Sequence, residues 1–115
     1  MHSEIQTYIV DVDLTLCSEP LVPGRYETCT PHVEMIDKVN ELYNKGHTII
    51  LFTARGMRSY NEDIIDIHIH VKPVLVDWLD SFGVQYTRLI MGKPWGPNVH
   101  YIDDKNMTFE DFLKQ

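Results

Sequence analysis

At 115 residues, with 43% hydrophobic and 23% charged side chains, the chain suits one folded domain over 1–115 and excludes a second catalytic domain or a large insertion. Ten Lys plus Arg against 17 Asp plus Glu leave a net charge of −7, which argues against a protein whose main work is gripping nucleic-acid phosphates. No apolar run nears the roughly 20 residues of a membrane span, and the first residues lack a basic, apolar leader, so a cytoplasmic protein with no membrane partner is expected. Cys17 and Cys29 lack metal-site spacing. A disulfide is open to them, and two free thiols are the expectation for a cytosolic chain.

Thr7 to Val10, β-branched and aromatic, reads as a buried central parallel strand ending at Asp11. Pro20, Pro23, Gly24 and Pro31 mark the next stretch as loop. Thr30-Pro31 suits a helix start, with Thr as N-cap and Pro at the first helical position; Val33, Ile36, Val39, Leu42 and Tyr43 form the stripe, and Gly46 ends it. His47 to Phe52 is a second strand running into Thr53, and Ala54 to Asn61 a polar turn. Between Glu62 and Phe82 two periods compete. Ile65, Ile67, Ile69 and Val71 alternate as in a strand, yet Ile64, Ile67, Val71, Leu75, Trp78, Leu79 and Phe82 keep helical spacing for longer. The spacing predicts helix, broken near Pro73 and ended by Gly83. Val84 to Met91 holds a third strand, Asn98 to Ile102 a fourth, and Thr108 with Asp111 opens a short closing helix. This alternation predicts an α/β fold with a small parallel sheet of about four strands, whose C-terminal ends share one edge.

Asp11 and Asp13, Thr53, Lys93, and Asp103 with Asp104 fall after successive predicted strands. Four carboxylates in one cleft repel unless a cation sits among them, and hard oxygen ligands suit Mg²⁺. Lys93, the Thr53 hydroxyl and the backbone N–H groups of Ala54 and Arg55 suit the oxygens of a phosphoryl group. A cation, a carboxylate nucleophile and a positive clamp are what phosphoryl transfer through an aspartyl-phosphate needs. Asp13 can then serve as general acid and base. Taken singly each piece is ordinary: a D-x-D is usually two solvated acids, and Thr53 and Lys93 plain loop residues. Their joint order is what carries the chemistry.

D-V-D-L-T-L from Asp11, L-F-T-A-R-G from Leu51, G-K-P from Gly92 and Y-I-D-D-K from Tyr101 resemble, in order, the four motifs of the haloacid dehalogenase-like phosphatases. The resemblance runs from residue 7 to about 112. It implies a Rossmann-like sheet in the order 3-2-1-4, with Asp11 as nucleophile and Mg²⁺ ligand. It makes Asp13 the acid/base and a ligand through its backbone carbonyl. Thr53 and Lys93 then hold phosphate, and Asp103 and Asp104 complete the metal site. Leu14 departs from the Gly often found there, which bears on loop packing. F-T-A-R-G with G-K-P and I-D-D-K looks like the small phosphatases of capsular-polysaccharide and sugar biosynthesis; a second likeness is to the phosphatase domain of polynucleotide kinases.

Segments 12–30 and 54–61 are too short for an inserted cap domain, so the site is expected to be capless. It is then open to a bulky phosphorylated substrate, or closed by a neighbouring subunit of a homo-oligomer, with Trp95 a candidate contact for either. Arg55 and Arg58 extend the positive side of the cleft, with Arg25 weaker. His68 and His70, two apart on a helix, point different ways and make a poor zinc pair. A receiver-like signalling domain is the rival reading. There the acidic pair comes first and the acceptor Asp later, the reverse of the order here. A degenerate, non-catalytic phosphoryl-binding module is the other alternative.

Overall fold

The computed structural model describes residues 4–115. Its elements run β1 (Thr7–Asp11), β2 (Cys17–Val22), β3 (Arg25–Pro31), α1 (Val33–Asn44), β4 (Thr48–Thr53), α2 (Ile64–His70), α3 (Lys72–Ser81), β5 (Arg88–Met91) and α4 (Phe109–Leu113). Three strands form a parallel sheet in the order β1-β4-β5. Parallel register pairs Asp11 with Phe52 and Thr53 with Met91, so the C-terminal ends of all three strands lie along one edge. Along β4, Ile49, Leu51 and Thr53 alternate inward and are fully buried. The period-2 rule therefore carries a polar residue, Thr53, into the interior at the functional end.

The expected sheet differs in its fourth member. Asn98–Ile102 forms no strand, and β1, expected at the centre, pairs on one side only among the described residues. Ile9 on β1 is 66% exposed and Ile102 is 94% exposed. Pro94, Gly96 and Pro97 interrupt the approach to this segment, and the Tyr101 hydroxyl ties back to the Pro94 carbonyl, folding the loop on itself.

The stretch read as loop after Asp13 is a second, antiparallel sheet, β2-β3. Its two-residue turn is Pro23-Gly24, where proline fixes the first φ and glycine takes the φ of +78° that the turn needs. Pro20 sits inside β2 at a register irregularity, tolerated because a two-stranded ribbon has free edges. The same pairing moves the start of α1. Thr30 donates its N–H to the Ser18 hydroxyl and Pro31 pairs with Cys17, so the chain is still extended there. His32, with no side-chain cap, becomes the N-cap.

The helical reading of 62–82 holds, as two helices. Asp63 caps α2 by accepting from the N–H groups of Ile65 and Asp66, and the chain re-forms at Val71 with Pro73 in the first turn of α3. Ile67, Leu75 and Leu79 carry these helices into the core with Val12, Leu16, Ile49 and Leu51. Trp78 also donates its indole N–H to the Cys29 carbonyl at 2.9 Å, fastening α3 to the hairpin. Thr108 caps α4 through the Asp111 N–H, as its spacing predicts. Cys17 and Cys29 are buried free thiols. Among the described residues no cap domain is seen, and no helix is long and apolar enough to cross a membrane.

Candidate functional site

Beyond β1 the chain turns tightly. Leu14 donates its N–H to the Cys17 carbonyl while the Val12 carbonyl accepts from Thr15 and Leu16. Leu14 takes a φ of +64° to make this turn, a conformation in which a β-carbon is unfavourable. The turn sets the Asp11 and Asp13 carboxylates at the mouth of a cavity of about 740 Å³. Ala54, Arg55, Arg58, Lys93 and Trp95 line the same cavity, with Tyr26 of the hairpin and Tyr101 and Phe109 from the C-terminal part.

Each of the two acids has its own cation. Lys93 Nζ lies 3.5 Å from Asp11 Oδ1, and Arg55 Nη2 lies 2.7 Å from Asp13 Oδ1. Burial pushes the Asp11 carboxyl above its usual range; the Lys93 charge opposes this and the neighbouring Asp13 charge adds to it. Lys93 is steered from two sides: its N–H donates to the Thr53 carbonyl at 3.0 Å, and its ammonium sits 4.3 Å from the centroid of the Tyr101 ring.

Arg55 and Thr53 both bond to Asp13. Thr53 is fully buried; its hydroxyl donates to Asp13 Oδ2 at 3.2 Å and accepts the Arg55 N–H at 3.0 Å. The Arg55 side chain is 1% exposed, with its guanidinium carbon 4.5 Å from the Tyr26 ring centroid and Nη2 3.8 Å from Cys17 Sγ. Burial pushes the Cys17 thiol up to about 12, with the Asp13 charge adding to the effect, so it stays a neutral packing group.

Asp103 and Asp104 do not join this group. Asp103 Oδ1 accepts the Lys105 N–H at 2.8 Å, and Asp104 lines a separate depression beside α4. The expected convergence of four carboxylates is thus two, because the segment that bears the second pair is not paired to the sheet. Among the described residues no three His, Cys, Asp or Glu side chains gather closely enough to hold a metal ion. His68 lies exposed on α2 and His70 stacks on Tyr60, apart from the cleft. Arg25 is paired with Glu27 on the exposed hairpin.

Two residues of the cleft stand out only in three dimensions. Tyr26 lies in the stretch read as loop, so nothing in the sequence placed it over Arg55. Tyr101 was visible inside Y-I-D-D-K, but as a strand residue and not as a platform for Lys93.

The fold and cleft define a small α/β protein with an acid pair and matching cations at the carboxyl ends of parallel strands, where ligands of such sheets bind. The chain is similar to a structural-genomics target from Vibrio cholerae whose crystal structure is known, with 33% identity over 96% of this chain and 89% of that one and a TM-score of 0.86. The two belong to one family. The description of that structure names no activity. No family model matches the chain, and no curated protein does.

Proposed function

We propose that this is a Mg²⁺-dependent phosphatase of the haloacid dehalogenase-like type, hydrolysing a phosphomonoester of a small metabolite such as a sugar phosphate. The observation that carries the reading is the Asp11–Asp13 pair at a cavity mouth, each acid matched with a cation, Lys93 or Arg55. In the first step an Asp11 oxygen attacks phosphorus and the ester P–O bond breaks, while Asp13 gives a proton to the leaving oxygen. In the second, Asp13 takes a proton from water as the water oxygen attacks phosphorus. The P–O bond to Asp11 then breaks and inorganic phosphate leaves. Lys93 offsets the charge on the phosphoryl oxygens throughout.

The donor set fits the cation. Mg²⁺ is usually held by one or two carboxylates together with waters and substrate phosphate, and the half-open acid pair offers that arrangement. Asp11 and the Asp13 carbonyl would hold it, joined by Asp103 or Asp104. Bound there, it would supply charge neutralisation at the phosphoryl group. The same reading lays segment 98–102 along the free edge of β1 as a fourth strand in the order 3-2-1-4. The unpaired edge and the exposed Ile9 and Ile102 support that placement. Two free thiols suit a reducing cytoplasm.

The experiment is Mg²⁺-dependent phosphate release from p-nitrophenyl phosphate, followed by a panel of sugar phosphates, nucleotides and 3′-phosphorylated oligonucleotides. Asp11→Asn should abolish turnover, by at least ~10⁴-fold for loss of a nucleophile. Full turnover in excess EDTA, or an active Asp11→Asn enzyme, would sink the reading. Preference for the oligonucleotide would redirect it to polynucleotide repair.

A further inference from the structure

We infer that Arg55 is a positioning residue that holds the Asp13 carboxylate in a single orientation, and not a contact for the substrate phosphate. The inference rests on the phosphatase reading and deepens it.

A closed circuit surrounds Asp13. The Arg55 N–H donates to Thr53 Oγ1, Thr53 Oγ1 donates to Asp13 Oδ2, and Asp13 Oδ1 accepts from Arg55 Nη2 at 2.7 Å. Both carboxylate oxygens are thus taken, from fixed directions. The Arg55 end of the circuit is covered by Tyr26 of β3 lying over the guanidinium and by Cys17 at its edge, while the Asp13 side chain stays 34% exposed at the cavity. Lys93 offers the contrast. Its side chain is 18% exposed at the cavity, 3.5 Å from Asp11, where a phosphoryl oxygen can meet it.

Arg55 keeps two donors, Nε and Nη1, buried with no hydrogen-bond partner. Such donors are costly, and a guanidinium whose only role was to fill space would be better replaced by an apolar chain of like volume. What the buried charge does supply is direction. One donor of the buried guanidinium, Nη2 on Oδ1, together with the Thr53 hydroxyl on Oδ2, fixes the carboxylate against the end of β4 before substrate arrives. A misplacement of about 1 Å at a reacting group costs on the order of 10²-fold in rate, so an Asp13 free to rotate would transfer protons poorly. Arg55 lines the cavity, yet its side chain is 1% exposed with Nη2 committed to Asp13, whereas Arg58 and Lys93 line the same cavity with more exposed side chains.

The test is a double-mutant cycle read on p-nitrophenyl phosphate, with Arg55→Gln, Asp13→Asn and the pair, each checked for native circular dichroism and melting. Arg55→Gln should lower kcat by at least ~10-fold with KM within ~3-fold, the signature of lost orientation with binding kept. In the Asp13→Asn background the same change should move kcat less than ~2-fold, because Arg55 acts only through Asp13. Arg55→Lys, which keeps the charge without the fork, should recover part of the loss and carries the cycle if Arg55→Gln does not fold. A full-sized Arg55 effect surviving in the Asp13→Asn background, or a loss expressed in KM, overturns the inference and makes Arg55 a substrate contact. If the wild type releases no phosphate or Asp11→Asn stays active, the phosphatase reading falls and this inference with it. An additive cycle in an enzyme that Asp11→Asn silences removes this inference alone.

Discussion

The two walls of the cleft are built on different principles. The inner wall, from the ends of β1 and β4, places Asp13, Thr53 and Arg55 in a closed hydrogen-bonded circuit under the hairpin. The outer wall, from Gly92 to Met107, has no regular pairing and leaves Trp95 half exposed, with Asp103 and Asp104 turned to solvent. Lys93 stands at the junction, fixed at its backbone by Thr53 and at its tip by Tyr101. Preorganised groups act on the chemical step, whereas groups that must first be ordered act on the affinity for whatever orders them. The two walls should therefore fail in different kinetic constants.

The largest effect belongs to the inner wall. Asp13→Asn keeps shape and backbone carbonyl, so substrate binding should survive while kcat falls by roughly 10²–10⁴-fold, the usual span for general acid–base help. The loss should be greater for an alkyl phosphate than for p-nitrophenyl phosphate, whose leaving group needs no proton. Near-normal kcat on the alkyl ester would remove Asp13 from the chemistry. At the junction, Lys93→Ala should raise KM and lower kcat together, with kcat/KM down by about 10²-fold. A change confined to KM would reduce Lys93 to a binding contact.

On the outer wall, Asp103→Asn should act mainly on cation affinity. Half-saturating Mg²⁺ should rise by roughly 10-fold or more while kcat at saturating Mg²⁺ stays near wild type. If titration of activity against Mg²⁺ is unmoved by Asp103→Asn and by Asp104→Asn alike, the outer wall has no part in the metal site. The smallest effect is conformational. Leu14→Gly relieves a β-carbon held at positive φ but loosens the unfolded chain, so urea unfolding should show a gain below about 1 kcal/mol. A loss instead would mean that the exposed Leu14 side chain has packing value of its own.

The same division governs what the sequence disclosed. Strands with buried, β-branched cores announce themselves, and β1, β4 and β5 fall where periodicity predicts, with Asp11, Thr53 and Lys93 at or just past their ends. The hairpin did not, because Pro20, Pro23 and Pro31 read as loop. Proline is admissible in a two-stranded ribbon, where half the backbone donors need no partner. With the hairpin unseen, Tyr26 and Cys17 had no place, and Arg55 looked like one more cleft cation. Asn98 to Ile102 carries a strand-like pattern, but only pairing makes a pattern into a strand, and that segment has none among the described residues.

Gly56 follows Arg55 directly, at a φ of +86°. A β-carbon built there would stand 2.7 Å from Val71 Cγ2 and 3.3 Å from Ile67 Cγ1, at the joint between α2 and α3. The joint therefore bears on the bare backbone of the turn that aims Arg55 at Asp13. Aliphatic carbons more than ten residues downstream in the chain thus crowd that turn. A variant that enlarges Val71 or Ile67 would transmit its strain to the cleft through this one glycine, altering the rate without touching a charged atom.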